Sequence, residues 1–147
     1  MLTITPTDRL FILAGAGLSA ESGIPTFRGA RGLWRNYRIE EVASPTAWRR
    51  DPGLVWEFYS MRRRVAGAAK PNPAHLALAK LECMLQDRLF ACTQNVDNLQ
   101  EQAGSRNVVH MHGELFKSRC DTCRRPRCRS NWTESTAHWP DAPFFWR

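Results

Sequence analysis

The stretch RLFILAGAGLSA at residues 9–20 decides the fold of this chain. The apolar run Arg9 to Ala14 breaks into Gly15-Ala16-Gly17, which predicts a buried β-strand that leads into a tight turn. Ser19 to Gly23 then predicts the opening of a helix that ends at Pro25. The turn matches G-x-G-x-x-G/A after a strand, in which backbone amides reach a pyrophosphate at a helix N-terminus. By itself this pattern is equally typical of a purely structural turn.

Two later apolar runs predict neighbouring strands of the same sheet. Arg88 to Thr93 leads into the polar segment Gln94 to Asp97, and Asn107 to Met111 leads into His112. In an open parallel sheet, ligands bind at the carboxyl ends of the strands. We therefore expect these polar residues to meet the glycine turn at one edge of the sheet and to form a ligand site there.

A helical module is expected between the first two strands, at about residues 30–72. Pro52 to Val65 has the spacing of an amphipathic helix. Asn72, as an N-cap before Pro73, predicts a second helix that continues to Leu85 and packs on the sheet. The whole pattern indicates an α/β fold, with a partial Rossmann-like parallel sheet and an inserted helical module.

The composition is that of a globular protein rather than a membrane-spanning one. The chain has 147 residues, of which 43% are hydrophobic and 24% charged, an ordinary globular composition. No run approaches the roughly 18 apolar residues of a membrane span, so we expect a cytoplasmic protein. The net charge of +7 leaves open a polyanionic partner such as nucleic acid. Cys120, Cys123 and Cys128 cluster, which in a cytosolic chain suggests a metal before a disulfide.

Four segments together resemble the sirtuin family, and they occur in the order that the family has. They are GAGLSAESGIPTFRG (residues 15–29), TQNVDNL (93–99), HMHGELFKSRC (110–120) and the CxxC of Cys120 and Cys123. The resemblance covers roughly residues 9–123 and implies an NAD-dependent protein lysine deacylase. Such an enzyme transfers the acyl group to ADP-ribose and releases nicotinamide. The implied cofactor is NAD as co-substrate and the implied partners are acyl-lysine proteins, without a membrane or nucleic acid.

The resemblance also implies a role for each matching position. His112 would be the general base, a role that suits an imidazole because it can accept a proton from a ribose hydroxyl near neutral pH. His110 and His75 are interpreted as structural or surface residues. The cofactor-binding residues would be Gly15, Ala16, Gly17 and Ser19 at the phosphates, Phe27 and Arg28 in a loop over the nicotinamide ribose, and Gln94, Asn95 and Asp97 in the nicotinamide pocket.

Tyr59 and Arg62 are the candidates for substrate choice. They are three positions apart in a predicted helix, so a phenol and a guanidinium on one face could together bind a carboxylate. The segment VWEFYSMRRR (residues 55–64) resembles that of the class III sirtuins, which implies recognition of acidic acyl groups such as succinyl or malonyl. The alternative is an aromatic side chain packed on the core beside a solvated arginine run.

Cys120 and Cys123 resemble half of the structural zinc site of the family. Tetrahedral zinc needs four ligands, and only Cys128 follows, within an arginine-rich run. We therefore expect an incomplete zinc-binding module with these two cysteines as the intended ligands.

Residues 1–123 are interpreted as the N-terminal catalytic region, and residues 124–147 as an aperiodic basic, tryptophan-rich tail. The later strands of a doubly wound fold are expected to be missing, which would leave one face of the sheet without helices. Two alternatives stay open. The chain could be a non-catalytic truncated remnant of a sirtuin, or a basic zinc module that binds nucleic acid.

Overall fold

The computed structural model describes residues 4–5, 7–26, 37–119 and 126–128. In these residues the chain forms a parallel sheet, a set of helices and a short hairpin. The elements are β1 (Leu10–Ala14), α1 (Gly17–Ala20), α2 (Ile39–Val42), α3 (Pro45–Arg50), α4 (Pro52–Ala68), α5 (Pro73–Leu85), β2 (Leu89–Thr93), α6 (Leu99–Gln102), β3 (Val108–His110), β4 (Lys117–Arg119) and β5 (Pro126–Cys128). A 3₁₀ turn, Gln86–Arg88, connects α5 to β2.

The sheet is parallel and has the strand order β1-β2-β3. Ala14 of β1 pairs with Thr93 of β2, and Thr93 pairs with His110 of β3, so the three strands end in one row. The residues that follow each strand therefore emerge at the same edge. This arrangement agrees with the predicted α/β sheet and places the glycine turn beside the Gln94–Asp97 segment.

One face of the sheet is covered by α5. Leu85 of this helix packs with Leu89 and Ala91 of β2 in a buried cluster, against which Leu10 and Ile12 of β1 also pack. Burial of a leucine side chain of this kind contributes about 1.5–3 kcal/mol. The covered face is thus the main apolar core beneath the strand ends.

Within residues 4–5, 7–26, 37–119 and 126–128, nothing covers the opposite face of the same sheet. The side chains of Phe11 and Phe90 stack with their ring centroids 5.7 Å apart, yet both residues are more than half exposed. The exposed apolar residues of this face are Phe11, Leu13, Phe90, Val109 and Met111. An apolar face without a covering layer was expected from the sequence.

The two long helices begin at side-chain caps. Asp51 accepts a hydrogen bond from the amide of Leu54 (2.9 Å) at the start of α4, and Asn72 accepts one from Ala74 (2.9 Å) at the start of α5. Both helices carry proline in the first turn, where no amide donor is needed. Among the described residues no helix has both the length and the apolar character that crossing a membrane requires.

A buried carboxylate ties α5 to the segment before β3. The two side-chain oxygens of Glu82 accept hydrogen bonds from the amides of Arg106 (3.0 and 3.1 Å) and Asn107 (2.9 Å). Glu82 is buried. The start of β3 is therefore held to the helix on the covered face.

Three local features differ from the sequence predictions. The helix expected at Ser19 to Gly23 instead spans Gly17–Ala20, because residues 21–23 form a turn in which Gly23 has φ +85°. The short helix α6 and the hairpin β4–β5 were not predicted. β5 lies within the tail interpreted as aperiodic, and it pairs with β4 in antiparallel register.

Candidate cofactor and active site

The glycine turn after β1 is closed by its own backbone. The amide of Leu18 donates to the carbonyl of Gly15 (2.9 Å), and the amide of Ser19 donates to the carbonyl of Ala16 (3.2 Å). A Cβ atom built on Gly15 or Gly17 would meet nothing within 4 Å. Neither glycine has a positive φ among the described backbone, so their small size leaves open space above the turn.

Ser19 lies at the centre of a buried polar cluster. Its hydroxyl donates to Asp97 Oδ2 (3.0 Å) and accepts from Asn95 Nδ2 (3.1 Å). These three residues are each no more than 8% exposed. The cluster joins the helix after β1 to the loop after β2, and buried polar groups paired in this way specify a single arrangement.

His75 also belongs to this cluster. From the sequence it was interpreted only as a structural or surface residue. The amide of Asn72 donates to His75 Nδ1 (3.2 Å), so the ring proton lies on Nε2, which faces the Ser19 hydroxyl at 3.4 Å. Burial lowers the pKa of His75, and the charge of Asp97 opposes that shift. A neutral imidazole therefore supports Ser19 from α5.

Asn72 also contributes more than its predicted cap. Besides capping α5, it donates from Nδ2 to the carbonyl of Leu18 (2.7 Å) and so holds the glycine turn to the helix. The signal in the sequence is the run Asn72 to His75, where an amide cap and an imidazole occupy the first turn. That signal gives the helix start, but not the partner 54 positions away.

The loop after β2 is pinned on both sides. The amide of Gln94 donates to the carbonyl of Ala14 (3.0 Å), and the amide of Leu115 donates to the carbonyl of Val96 (2.7 Å). Asp97 Oδ1 accepts from the amide of Leu99 at the start of α6 (3.2 Å). The side chain of Gln94 is exposed, whereas Asn95 and Asp97 are buried.

A cleft of about 30 Å³ lies between this loop, the glycine turn and α4. This volume is far below the roughly 300–1,000 Å³ of a usual ligand pocket. The residues that line the cleft include Ala16, Ser19, Arg62, Asn95, Asp97 and Leu115.

Tyr59 and Arg62 are neighbours on α4, as their spacing predicted. The guanidinium carbon of Arg62 lies 5.5 Å from the centroid of the Tyr59 ring. Burial raises the pKa of the Tyr59 phenol, against the effect of the nearby charges of Arg62 and Arg63. Burial lowers the pKa of Arg62, opposed by Tyr59 and Asp97. Since a guanidinium stays protonated in proteins, Arg62 brings a positive charge to the cleft.

His112 lies on the turn that follows β3 and is exposed. Gly113 comes next with φ +79°, a conformation that glycine favours and that turns the chain towards Leu115. His112 does not line the cleft between Ser19 and Arg62. It stands near the same edge of the sheet because β3 ends two residues earlier.

Four of the predicted site residues lie outside the described residues. They are Phe27, Arg28, Cys120 and Cys123. The hairpin β4–β5 flanks the two cysteines in sequence, with the backbone of Cys128 opposite Lys117.

A parallel sheet whose strand ends lead into a glycine turn and buried polar side chains defines a Rossmann-like α/β protein. The sequence model of the Sir2 family matches residues 15–141. The chain therefore belongs to the Sir2 family, the sirtuins. The matched range extends beyond Cys123 into the tail.

Two curated relatives illustrate the extent of the similarity. An NAD-dependent protein deacylase of Vibrio cholerae is 58% identical over 117 residues, which are 78% of this chain and 48% of that protein. An NAD-dependent protein deacylase of Pyrococcus furiosus is 59% identical over 109 residues, which are 74% of this chain and 43% of that protein. The chain spans a little under half the length of these relatives.

Solved structures agree with the fold. A Sir2 homologue in complex with NAD superposes with a TM-score of 0.73 at 48% identity, over 84% of this chain and 48% of that chain. A Sir2 homologue mutant in complex with ADP-ribose gives 0.78 at 41% identity, over 95% of this chain and 57% of that chain. The predicted Rossmann-like α/β fold is confirmed.

Proposed function

We propose that this chain carries the cofactor site and the general base of an NAD-dependent protein lysine deacylase. One observation carries the proposal: Ser19, Asn95 and Asp97 share a buried hydrogen-bonded cluster beside an open glycine turn. In a chain of the Sir2 family with deacylase relatives, such a cluster is best explained as part of an NAD site. The proposed substrates are acyl-lysine proteins of the cytoplasm.

The described residues fit NAD. The space above Gly15 and Gly17 allows a phosphate to approach the backbone closely, and the buried cluster offers amide and carboxylate groups for the nicotinamide end. When bound, NAD supplies the ADP-ribose that accepts the acyl group, and nicotinamide leaves. The proposed cofactor-binding residues are Gly15, Ala16, Gly17, Ser19, Phe27, Arg28, Gln94, Asn95 and Asp97.

His112 is the proposed general base. His112 is exposed at the edge of the sheet, where its imidazole would accept a proton from a ribose hydroxyl of bound NAD and release it to solvent. Tyr59 and Arg62 are proposed to bind the carboxylate of a succinyl or malonyl group. Support comes from Arg62, which lines the cleft and whose guanidinium carbon lies 5.5 Å from the centroid of the Tyr59 ring.

A structural zinc ion is proposed at Cys120 and Cys123, in a catalytic region of residues 1–123 that precedes a tail of residues 124–147. The proposal is supported by the antiparallel pairing of β4 with β5, the two strands that flank the CxxC segment in sequence. Only Cys128 follows as a further cysteine, within an arginine-rich run, so the proposed zinc-binding module is incomplete.

The test is deacylation by the purified chain, followed by mass spectrometry of succinyl-lysine and acetyl-lysine peptides with and without NAD. We expect NAD-dependent loss of the acyl group and release of nicotinamide. His112→Asn should reduce the rate on the order of 10²–10⁴-fold. Arg62→Met should reduce desuccinylation much more than deacetylation, whereas an equal effect on both peptides would contradict the carboxylate role.

A second candidate is a non-catalytic remnant of a sirtuin. The observation that favours it is the apolar face of the sheet, which the described residues leave uncovered. Thermal unfolding with and without NAD separates the two candidates. A folded sample that yields no product and gains no stability from NAD would support the remnant and contradict the enzyme proposal.

A further inference from the structure

His110, at the end of β3, contacts the loop that carries Asn95 and Asp97. Its Nδ1 lies 2.8 Å from the carbonyl oxygen of Asn95. Since a carbonyl can only accept, Nδ1 carries a proton and donates it. The side chain of His110 is only 5% exposed, so this hydrogen bond is inside the protein.

The other ring nitrogen meets a carboxylate. Nε2 of His110 lies 2.6 Å from Oε1 of Glu101 on α6. Burial works against the charge, but the hydrogen bonds to Glu101 and Asn95 and the charges of Glu101 and Glu114 raise the pKa of His110 above 6.5. Burial also acts on Glu101, yet His110 and, more weakly, Lys117 lower its pKa below 4.5. The pair is therefore an imidazolium and a carboxylate.

The charged groups around this pair come from three elements. Glu101 faces His110 from α6, and Glu114 faces it from the turn before β4. Lys117 of β4 lies 2.7 Å from Glu114, so it moderates the second carboxylate. His110 thus stays the cation that bonds directly to the Asn95 carbonyl.

The carbonyl that follows that of Asn95 in the chain is also held by a hydrogen bond. The amide of Leu115 donates to the neighbouring carbonyl of Val96 (2.7 Å). The side chain of Asn95 then donates to Ser19 in the proposed cofactor site (3.1 Å). His110 and the Leu115 amide thus fix the carbonyls of Asn95 and Val96. With these carbonyls fixed, the side chains of Asn95 and Asp97 form their hydrogen bonds to Ser19.

We propose that His110 and Glu101 are positioning residues, which hold the Asn95–Asp97 segment in place for cofactor binding through the hydrogen bond from His110 to the Asn95 carbonyl. The proposal rests on the assignment of Asn95 and Asp97 to the cofactor site. It adds a pair of residues, neither of which lines the cleft, to the groups that determine affinity for NAD.

The experiment is amide hydrogen exchange of the whole chain from pH 5 to pH 9, expressed as protection relative to the unfolded rate at each pH. The reporters are the amides of Asn95 and Leu115, and the amide of Arg106, bonded to Glu82, is the internal control. Protection of the reporters should be high while His110 is protonated. It should fall roughly tenfold or more as pH rises through the raised pKa of His110, because the remaining ring proton stays on Nε2 opposite the Glu101 carboxylate and the hydrogen bond from Nδ1 to the Asn95 carbonyl is lost.

Three variants separate positioning from simple packing. His110→Asn places an uncharged donor near the position of Nδ1, so protection should be retained and should no longer depend on pH. His110→Leu should lose protection at every pH. Glu101→Gln should move the midpoint of the wild-type profile to lower pH, and His112→Asn, the matched change at the neighbouring exposed histidine, should leave the profile unchanged.

Wild-type protection in His110→Leu, or a profile unmoved by Glu101→Gln, would overturn the proposal. If His110→Leu does not fold, the wild-type, His110→Asn and Glu101→Gln profiles still decide. The affinity for NAD is then measured separately by calorimetry. A chain that shows the expected exchange profile but binds no NAD would refute the proposed function and leave the contact itself established, whereas NAD binding equal in wild type and His110→Leu would refute the positioning role alone.

Discussion

The two faces of the β1–β2–β3 sheet differ although the same short strands form both. Leu89 and Ala91 are 5% and 4% exposed beneath α5, whereas Phe90, between them in sequence, is 52% exposed. Side chains alternate along a strand, so one step in sequence moves a residue from the core to the open face. Parallel sheets are usually covered on both faces. In the described part of this chain, the candidate site therefore lies on a sheet with only one covered face.

The largest expected effect is a difference in stability between alanine variants of two adjacent residues, one on each face of the sheet. Leu89→Ala should lower the free energy of unfolding by about 2–5 kcal/mol, because it leaves a cavity under α5. Phe90→Ala should cost about 1 kcal/mol, mainly its stack on Phe11. Urea unfolding of the two variants beside the wild type measures both values.

Equal costs at Leu89 and Phe90 would show that the open face is covered in solution. Sedimentation velocity of the same samples then tests whether a second copy of the chain provides the cover. A monomer with equal costs would contradict the packing described for Phe90.

The second test concerns a polar contact on the covered side. Glu82→Ala removes the acceptor of the Arg106 and Asn107 amides and should lower the free energy of unfolding by about 1.5–3 kcal/mol. Glu82→Gln keeps one acceptor oxygen, so its cost should be smaller. Glu57→Ala, on an exposed position of α4, is the matched control and should change little. If urea unfolding gave the same free energy of unfolding for all three variants, Glu82 would not hold β3 to the helix.

The sequence was sufficient to predict those elements that an apolar run or a helix cap marks. The apolar runs of the three strands and the capped start of α5 at Asn72 predicted the sheet, its α5 cover and the edge where Asn95 lies. The four-residue helix α6 and the three-residue strands β4 and β5 contain no apolar run that would mark them. Their formation depends on contacts with distant parts of the chain.

The candidate site divides in the same way. Motifs placed Ser19, Asn95 and Asp97 in one site, and these residues do lie together. No local pattern connects Ser19 to His75, which is 56 positions away, or His110 to the Asn95 carbonyl. Such partners are selected by the packing of helices on the sheet, so they became visible only in three dimensions.

The smallest expected effect concerns His75, the buried histidine that α5 brings to the site from the covered side. Its pKa is lowered in the folded chain, because burial disfavours the imidazolium. As pH falls below 6.5 the unfolded state binds a proton that the folded state resists, so the contribution of His75 to stability is lost on the acid side. His110 has the opposite sign, since its raised pKa makes its contribution disappear as pH rises.

His75→Gln separates the two histidines, because the amide can still donate to Ser19 but does not titrate. The difference in free energy of unfolding between wild type and His75→Gln should shrink or reverse as pH falls from 7 to 5, with the change due to His110 cancelling from the difference. Urea unfolding at several pH values measures it. A constant difference would mean that His75 is protonated equally in both states, which contradicts the acceptor role of Nδ1 towards the Asn72 amide.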